Sequence, residues 1–235
     1  MRHFGVFRLP AILLAVCAVT VACNKPANEP GRPAAPVSAL PADPTDPARP
    51  KVVFLGDSLT AGYGLDETQS YPSLLQQRMD AEGYAFEVVN AGVSGDTSAG
   101  GLRRIDWALD GNVRVLVLTL GANDGLRGLS IQEMKQNLTA IIRRARAKNV
   151  TVILAGMEAP PNYGQEYATA FRSAFRDIAT SERVLFIPFL LDKVAGESAL
   201  NLGDGIHPNE RGTRIVADTV WAVLRPVLDQ ITAAS

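Results

Sequence analysis

Apolar residues follow two alternating rhythms along this chain. Short unbroken runs rich in β-branched residues recur: "KVVFLG" (51–56), "AFEVVNAG" (85–92), "VRVLVLTLG" (113–121), "VTVILAG" (150–156) and "RVLFIPF" (183–189). Such runs read as strands covered on both faces. Between them the apolar spacing turns helical. "YPSLLQQRMDAEG" (71–83) opens with a proline and closes on a glycine, as helices do. In 96–111, Leu102, Ile105 and Leu109 share a face and Asp96 is the candidate cap. In 131–145, Ile131, Met134, Leu138, Ile141 or Ile142 and Ala145 do the same. Further helices are predicted over 165–180 and roughly 209–231. In the last, Val216, Val220, Val223 or Leu224 and Val227 line one side, and Pro226 predicts an end or a kink. Five strand–helix alternations predict an α/β domain: three layers, doubly wound around a mostly parallel sheet. No internal repeat is visible.

At 235 residues, 47% of them hydrophobic, the chain suits one domain with a real core plus appendages. The appendages are N-terminal. Arg2 and Arg8 precede an apolar stretch from Leu9 to Ala22, the pattern of an export signal over 1–22, too short for a membrane span. Cys23 follows Val21 and Ala22 and resembles the lipidated cysteine of a bacterial lipobox, although Thr20 stands where leucine is usual. The expectation is a periplasmic protein tethered to the membrane through Cys23; an ordinary secretory signal is the alternative. Residues 23–50, dense in proline and alanine, read as an extended linker, leaving 51–235 as the folded domain. Cys17 and Cys23 are the only cysteines, so that domain has neither a disulfide nor a thiol nucleophile. A net charge of -1, with the signs well mixed, gives no reason to expect a nucleic-acid partner.

Ligands of such sheets bind beyond the carboxyl ends of the strands. The first three strands end in "GDS", "NAG" and "GAND". Ser58 starts the turn after the first strand. His207 is the domain's single histidine, and Asp204 precedes it by three residues in the turn-prone "GDGIHPN". An aspartate there can hold one ring nitrogen and leave the other free as a base. Acyl transfer also needs donors for an oxyanion. The N–H of Ser58, the N–H of Gly92 and the side-chain amide of Asn123 are the candidates. Each residue has an ordinary reading too: Ser58 as a helix N-cap, His207 as a loop residue, Asn123 in an Asx turn. Their conjunction, in the order Ser…Asp…His, favours the chemical one. G-x-S-x-G, the nucleophile elbow of α/β-hydrolases, is absent.

"GDSLTAGYG", "NAGVSGDT", "GANDGLRG" and "DGIHPN" resemble, in order, the four blocks of the SGNH (GDSL) hydrolase superfamily. "GANDGLRG" and "MEAPPNYG" are similar to the versions in its bacterial arylesterase, thioesterase and lysophospholipase group, although Ala122 stands where a second glycine is frequent. The resemblance implies a flavodoxin-like order for a five-stranded parallel sheet. It implies Ser58 as nucleophile, His207 as general base, Asp204 as its orienter, and Ser58, Gly92 and Asn123 as the oxyanion hole. It implies no cofactor and no metal, and an acyl ester, thioester or lipid as substrate. Asp57 is expected to bond loop backbone rather than act in the chemistry. Leu126, Met157, Pro160 and Tyr163 are the candidate acyl-pocket residues, with Arg127 poised for an anionic group or a surface carboxylate. A carbohydrate O-acetylesterase on the same scaffold and a non-catalytic envelope binding protein are the competing readings.

Overall fold

The computed structural model describes residues 49–234. The expected export signal, the lipidation of Cys23 and nearly all of the linker lie outside those residues.

Five strands form one sheet: β1 (Lys51–Gly56), β2 (Glu87–Gly92), β3 (Val113–Thr119), β4 (Thr151–Ala155) and β5 (Leu185–Ile187). Every pairing is parallel and the order is β2-β1-β3-β4-β5, the flavodoxin-like order. Val52–Leu55, Val115–Leu118 and Ile153–Ala155 are fully buried, which explains why those segments are apolar without alternation. Helices α2 (Tyr71–Glu82) and α7 (Glu210–Ala233) pack together on one face. Helices α3 (Ser98–Ala108), α5 (Ile131–Ala147) and α6 (Gln165–Glu182) follow one another on the other. Two short helices, α1 (Ser58–Ala61) and α4 (Ala122–Leu126), stand directly on the carboxyl ends of β1 and β3.

Local chemistry sets the element ends. Ser70 caps α2 by accepting from the Ser73 N–H, and Gly83 closes it at φ +82°. The cap of α3 is Thr97, not Asp96: the Thr97 hydroxyl accepts from the Gly100 N–H, and Asp96 is committed elsewhere. β5 is shorter than its apolar run, because α6 consumes residues up to Glu182 and Arg183 turns the chain at φ +52°. Helix α7 does not end at Pro226 but runs through it. A mid-helix proline costs about 3 kcal/mol. Val220, Leu224, Val227 and Leu228 are buried on both sides of Pro226, and their packing offsets that cost.

The order of the strands reverses around β1. In register, Gly56 stands beside Gly92 of β2 and Thr119 of β3, so the loops leaving these strands share one rim. That switch point is where a crevice opens in sheets of this kind.

Candidate active site

At the end of β1 the chain must turn inside a crowded space. A Cβ on Gly56 would lie 1.9 Å from Thr60 Oγ1 and 2.2 Å from Thr119 Oγ1, so only glycine fits. Those two hydroxyls are 2.7 Å apart, and Thr60 also bonds the buried Tyr71 hydroxyl at 2.8 Å. Asp57 then caps α1, its Oδ1 accepting from the Leu59 N–H at 3.0 Å. Ser58 is therefore the first helical residue and not the cap. Its hydroxyl is left free to face the rim.

The loop before α7 brings His207 across to it. An isolated antiparallel bridge pairs Asn201 with Pro208, and Leu202 N–H donates to His207 C=O at 2.7 Å. Within the loop, Asp204 Oδ1 accepts from the N–H groups of Ile206 (2.9 Å) and His207 (3.0 Å). Its Oδ2 lies 2.7 Å from His207 Nδ1. These bonds, the backbone ones foremost, hold the Asp204 carboxyl down at about 2. Ionised Asp204 can only accept, so Nδ1 carries the proton and Nε2 has its lone pair free. Nε2 lies 2.8 Å from Ser58 Oγ. The Tyr63 ring, half exposed, lies tilted at 38° against the imidazole with centroids 4.6 Å apart.

Asn123, in α4, places its amide nitrogen 3.0 Å from the carbonyl oxygen of Asp96 and 3.3 Å from Asp57 Oδ2. It is not an isolated turn residue but a link between three loops. Asp57 is fully buried beside it, and burial pushes its carboxyl up to about 6 despite the Leu59 N–H, His207 and Asn123. The consequence for stability has a definite sign. With its folded pKa above the ordinary 3.8, the folded state binds this proton more tightly, so stability falls as pH rises from about 4 through about 6. Asp57→Asn removes that titration. From pH 4 to pH 7 its unfolding free energy should gain on the parent's by up to about 3 kcal/mol. Urea unfolding at the two pH values measures this, and a pH-independent difference would refute it.

The structure corrects one donor. Gly92 does not reach the crevice: its N–H donates to Asn90 Oδ1 at 3.0 Å, and a Cβ there would lie 2.3 Å from the Ala61 nitrogen. Its glycine serves the close approach of β2 to α1. Gly95, three residues on at φ +80°, lines the crevice instead. Among the described residues neither its N–H nor that of Ser58 donates to a protein acceptor. "NAGVSGDT" holds both glycines. Gly95 belongs to the turn beyond the strand, and no local sequence signal separates it from Gly92.

Ser58, Asn123 and His207 share a cavity of about 570 Å³. Leu126, Met157 and Pro160 line it as expected, joined by Phe189, Leu191 and Ile206, which the sequence pattern did not single out. Tyr163 does not line it. The Tyr163 hydroxyl donates to Leu126 C=O at 3.0 Å, and its ring lies against Gly128, so it buttresses the 126–128 turn. Among the described residues Arg127 pairs with no surface carboxylate; its Nη2 donates to Gly95 C=O at 2.8 Å. Among the described residues no cluster of three His, Cys, Asp or Glu side chains could hold a metal ion.

A doubly wound parallel sheet that brings serine, histidine and aspartate together on its carboxyl rim, without a nucleophile elbow, defines the SGNH class of scaffold. More narrowly, the chain belongs to the GDSL-like lipase/acylhydrolase family, whose model matches residues 54–215. It is 41% identical to the esterase TesA of Pseudomonas aeruginosa over 75% of this chain and 89% of that one. It is 35% identical to thioesterase 1/protease 1/lysophospholipase L1 of Escherichia coli K12, over 76% of this chain and 85% of that one. Among solved structures it is similar to the psychrotrophic esterase EstA of Pseudoalteromonas, inhibited by monoethylphosphonate. That likeness has a TM-score of 0.71 and 35% identity over 76% of this chain and 98% of that one.

Proposed function

We propose that this carboxylic ester hydrolase is a serine esterase working through an acyl-enzyme, with Ser58 as nucleophile, His207 as base and Asp204 as its orienter. The observation that carries the reading is the unbroken line of hydrogen bonds Asp204–His207–Ser58, 2.7 and 2.8 Å long, opening into an apolar-walled cavity. His207 Nε2 takes the Ser58 proton as Oγ attacks the ester carbonyl. The resulting oxyanion is met by the N–H groups of Ser58 and Gly95 and by the Asn123 amide, which exchanges its longer contact with Asp57 for the new one. His207 protonates the leaving alcohol, then activates the water that releases the acid.

Relatives named as esterase, arylesterase and thioesterase/lysophospholipase support carboxylic esters, thioesters and single-chain lipids as the substrate class. A cavity of about 570 Å³ walled by Met157, Phe189 and Leu191 has more apolar room than an acetyl group uses, which favours acyl chains over sugar acetates. Hydrolysis of p-nitrophenyl esters of rising acyl length tests this. kcat/KM should peak at short-to-medium chains and fall for long-chain triglyceride emulsions. Activity confined to acetyl groups on polysaccharide would select the acetylesterase, and no turnover on any ester would leave a binding protein.

A further inference from the structure

We propose that Arg104, paired with Asp96, is the positioning residue of the oxyanion hole; this rests on the esterase reading above. Arg104 lies on α3, outside the cavity. Its guanidinium nevertheless reaches three separate segments of the rim. Nη2 donates to Gly56 C=O at 2.8 Å, Nη1 to Ala91 C=O at 2.6 Å and Nε to Asp96 Oδ2 at 2.7 Å. The pair is largely buried, with side chains 18% and 11% exposed.

Each oxyanion donor is attached closely to one of these anchors. Gly56 is two residues before Ser58. Ala91 is the penultimate residue of β2, from which the 93–97 loop departs. Asp96 directly follows Gly95, and its main-chain carbonyl accepts from Asn123. The other Asp96 oxygen accepts from the Thr97 N–H at 3.1 Å, tying the same loop to the start of α3. Gly95 has no side chain to restrain its torsions and sits at φ +80°. The bonds to its neighbours therefore hold its peptide in place, helped by Arg127 on its carbonyl. A planar guanidinium with donors in three fixed directions can hold three loops in one relative geometry; a lysine ammonium on a flexible stem cannot. Arg104 touches no reacting atom. It acts through the donors it aligns, and the alignment matters most in the transition state, when the carbonyl oxygen becomes an anion.

The test is Arg104→Lys in the full chain, measured with p-nitrophenyl butyrate and with an alkyl trifluoromethyl ketone, which binds as a tetrahedral adduct. A misplacement of the donors by about 1 Å should lower kcat by about 10²-fold. KM should change little, and the ketone should weaken by the same factor as kcat/KM. Glu182→Gln is the control: it breaks the Arg143–Glu182 pair at the amino-terminal edge of the sheet, and should lower Tm without moving kcat. If Arg104→Lys behaves like that control, losing Tm but keeping kcat and ketone affinity, the pair is only a structural tie and the proposal is overturned. A fall in kcat with unchanged ketone affinity overturns it too. Should Arg104→Lys fail to fold, Asp96→Asn, which keeps the volume, carries the same expectations. A parent that neither cleaves the ester nor binds the ketone, while folded, removes the esterase reading itself, an outcome distinct from the others.

Discussion

Ser58→Ala is expected to lower kcat on p-nitrophenyl esters by roughly 10⁴–10⁶-fold with KM little changed. The change leaves the surroundings of the hydroxyl intact. Among the described residues the Ser58 hydroxyl bonds only His207 Nε2, so its removal disturbs no cap and no core contact there. The Asp57 cap, the Gly56 turn and the Ser58 N–H all remain. Tm should therefore stay within a degree or two of the parent's, and the remaining donors should keep a residual rate above that of water. A p-nitrophenyl alkylphosphonate separates loss of the nucleophile from loss of the site. The parent should release one equivalent of p-nitrophenol and fall silent, whereas the variant should release none. A variant retaining a tenth of the parent's kcat would mean that attack comes from water or another group.

Much of this site could be read from the chain because its pieces sit at strand ends, and strand ends are visible as the point where apolar runs stop. Ser58 and Asn123 follow β1 and β3 almost immediately, so the rule for parallel sheets locates them. Asp204 and His207 were legible for a different reason: their bonds close within one short loop. What escaped depended on contacts between distant segments. Gly92 and Gly95 both suit a close backbone approach, and only the packing of β2 on α1 shows which one faces the crevice. Asp96 has the composition of a cap but is drawn to Arg104, eight residues on, so Thr97 takes the capping role. Arg104 itself, in "GLRRIDW", looks like one of two adjacent helix-surface arginines; nothing local separates it from Arg103. Tyr163 was misplaced because its aromatic character suits an acyl pocket and the turn at Gly128 equally well.

Asp204→Asn should be nearly as damaging as the loss of the serine, at about 10⁴-fold in kcat, although it changes one atom. In the parent, Oδ1 satisfies two backbone N–H groups and Oδ2 faces Nδ1. An asparagine keeps its oxygen toward the two backbone donors, because leaving both unpaired costs more than leaving one ring nitrogen mismatched. Its NH2 then faces Nδ1 and donates to it. The imidazole is driven into the tautomer with its proton on Nε2, where it donates to Ser58 Oγ and cannot accept from it. Asp204→Ala lacks that misdirecting donor, so the geometry predicts a smaller loss in kcat for alanine than for asparagine, together with a larger loss in Tm as the Ile206 and His207 N–H groups lose their shared acceptor. The pH dependence has the opposite sign to that of Asp57. A carboxyl held at about 2 stabilises the fold above its ordinary 3.8, and that contribution is lost as pH falls from about 4 to about 2. The parent should therefore lead Asp204→Asn in Tm at pH 7, and the gap should close toward pH 2. Equal kcat for the alanine and asparagine variants would mean that Asp204 acts by charge alone, because only the tautomer argument makes them differ.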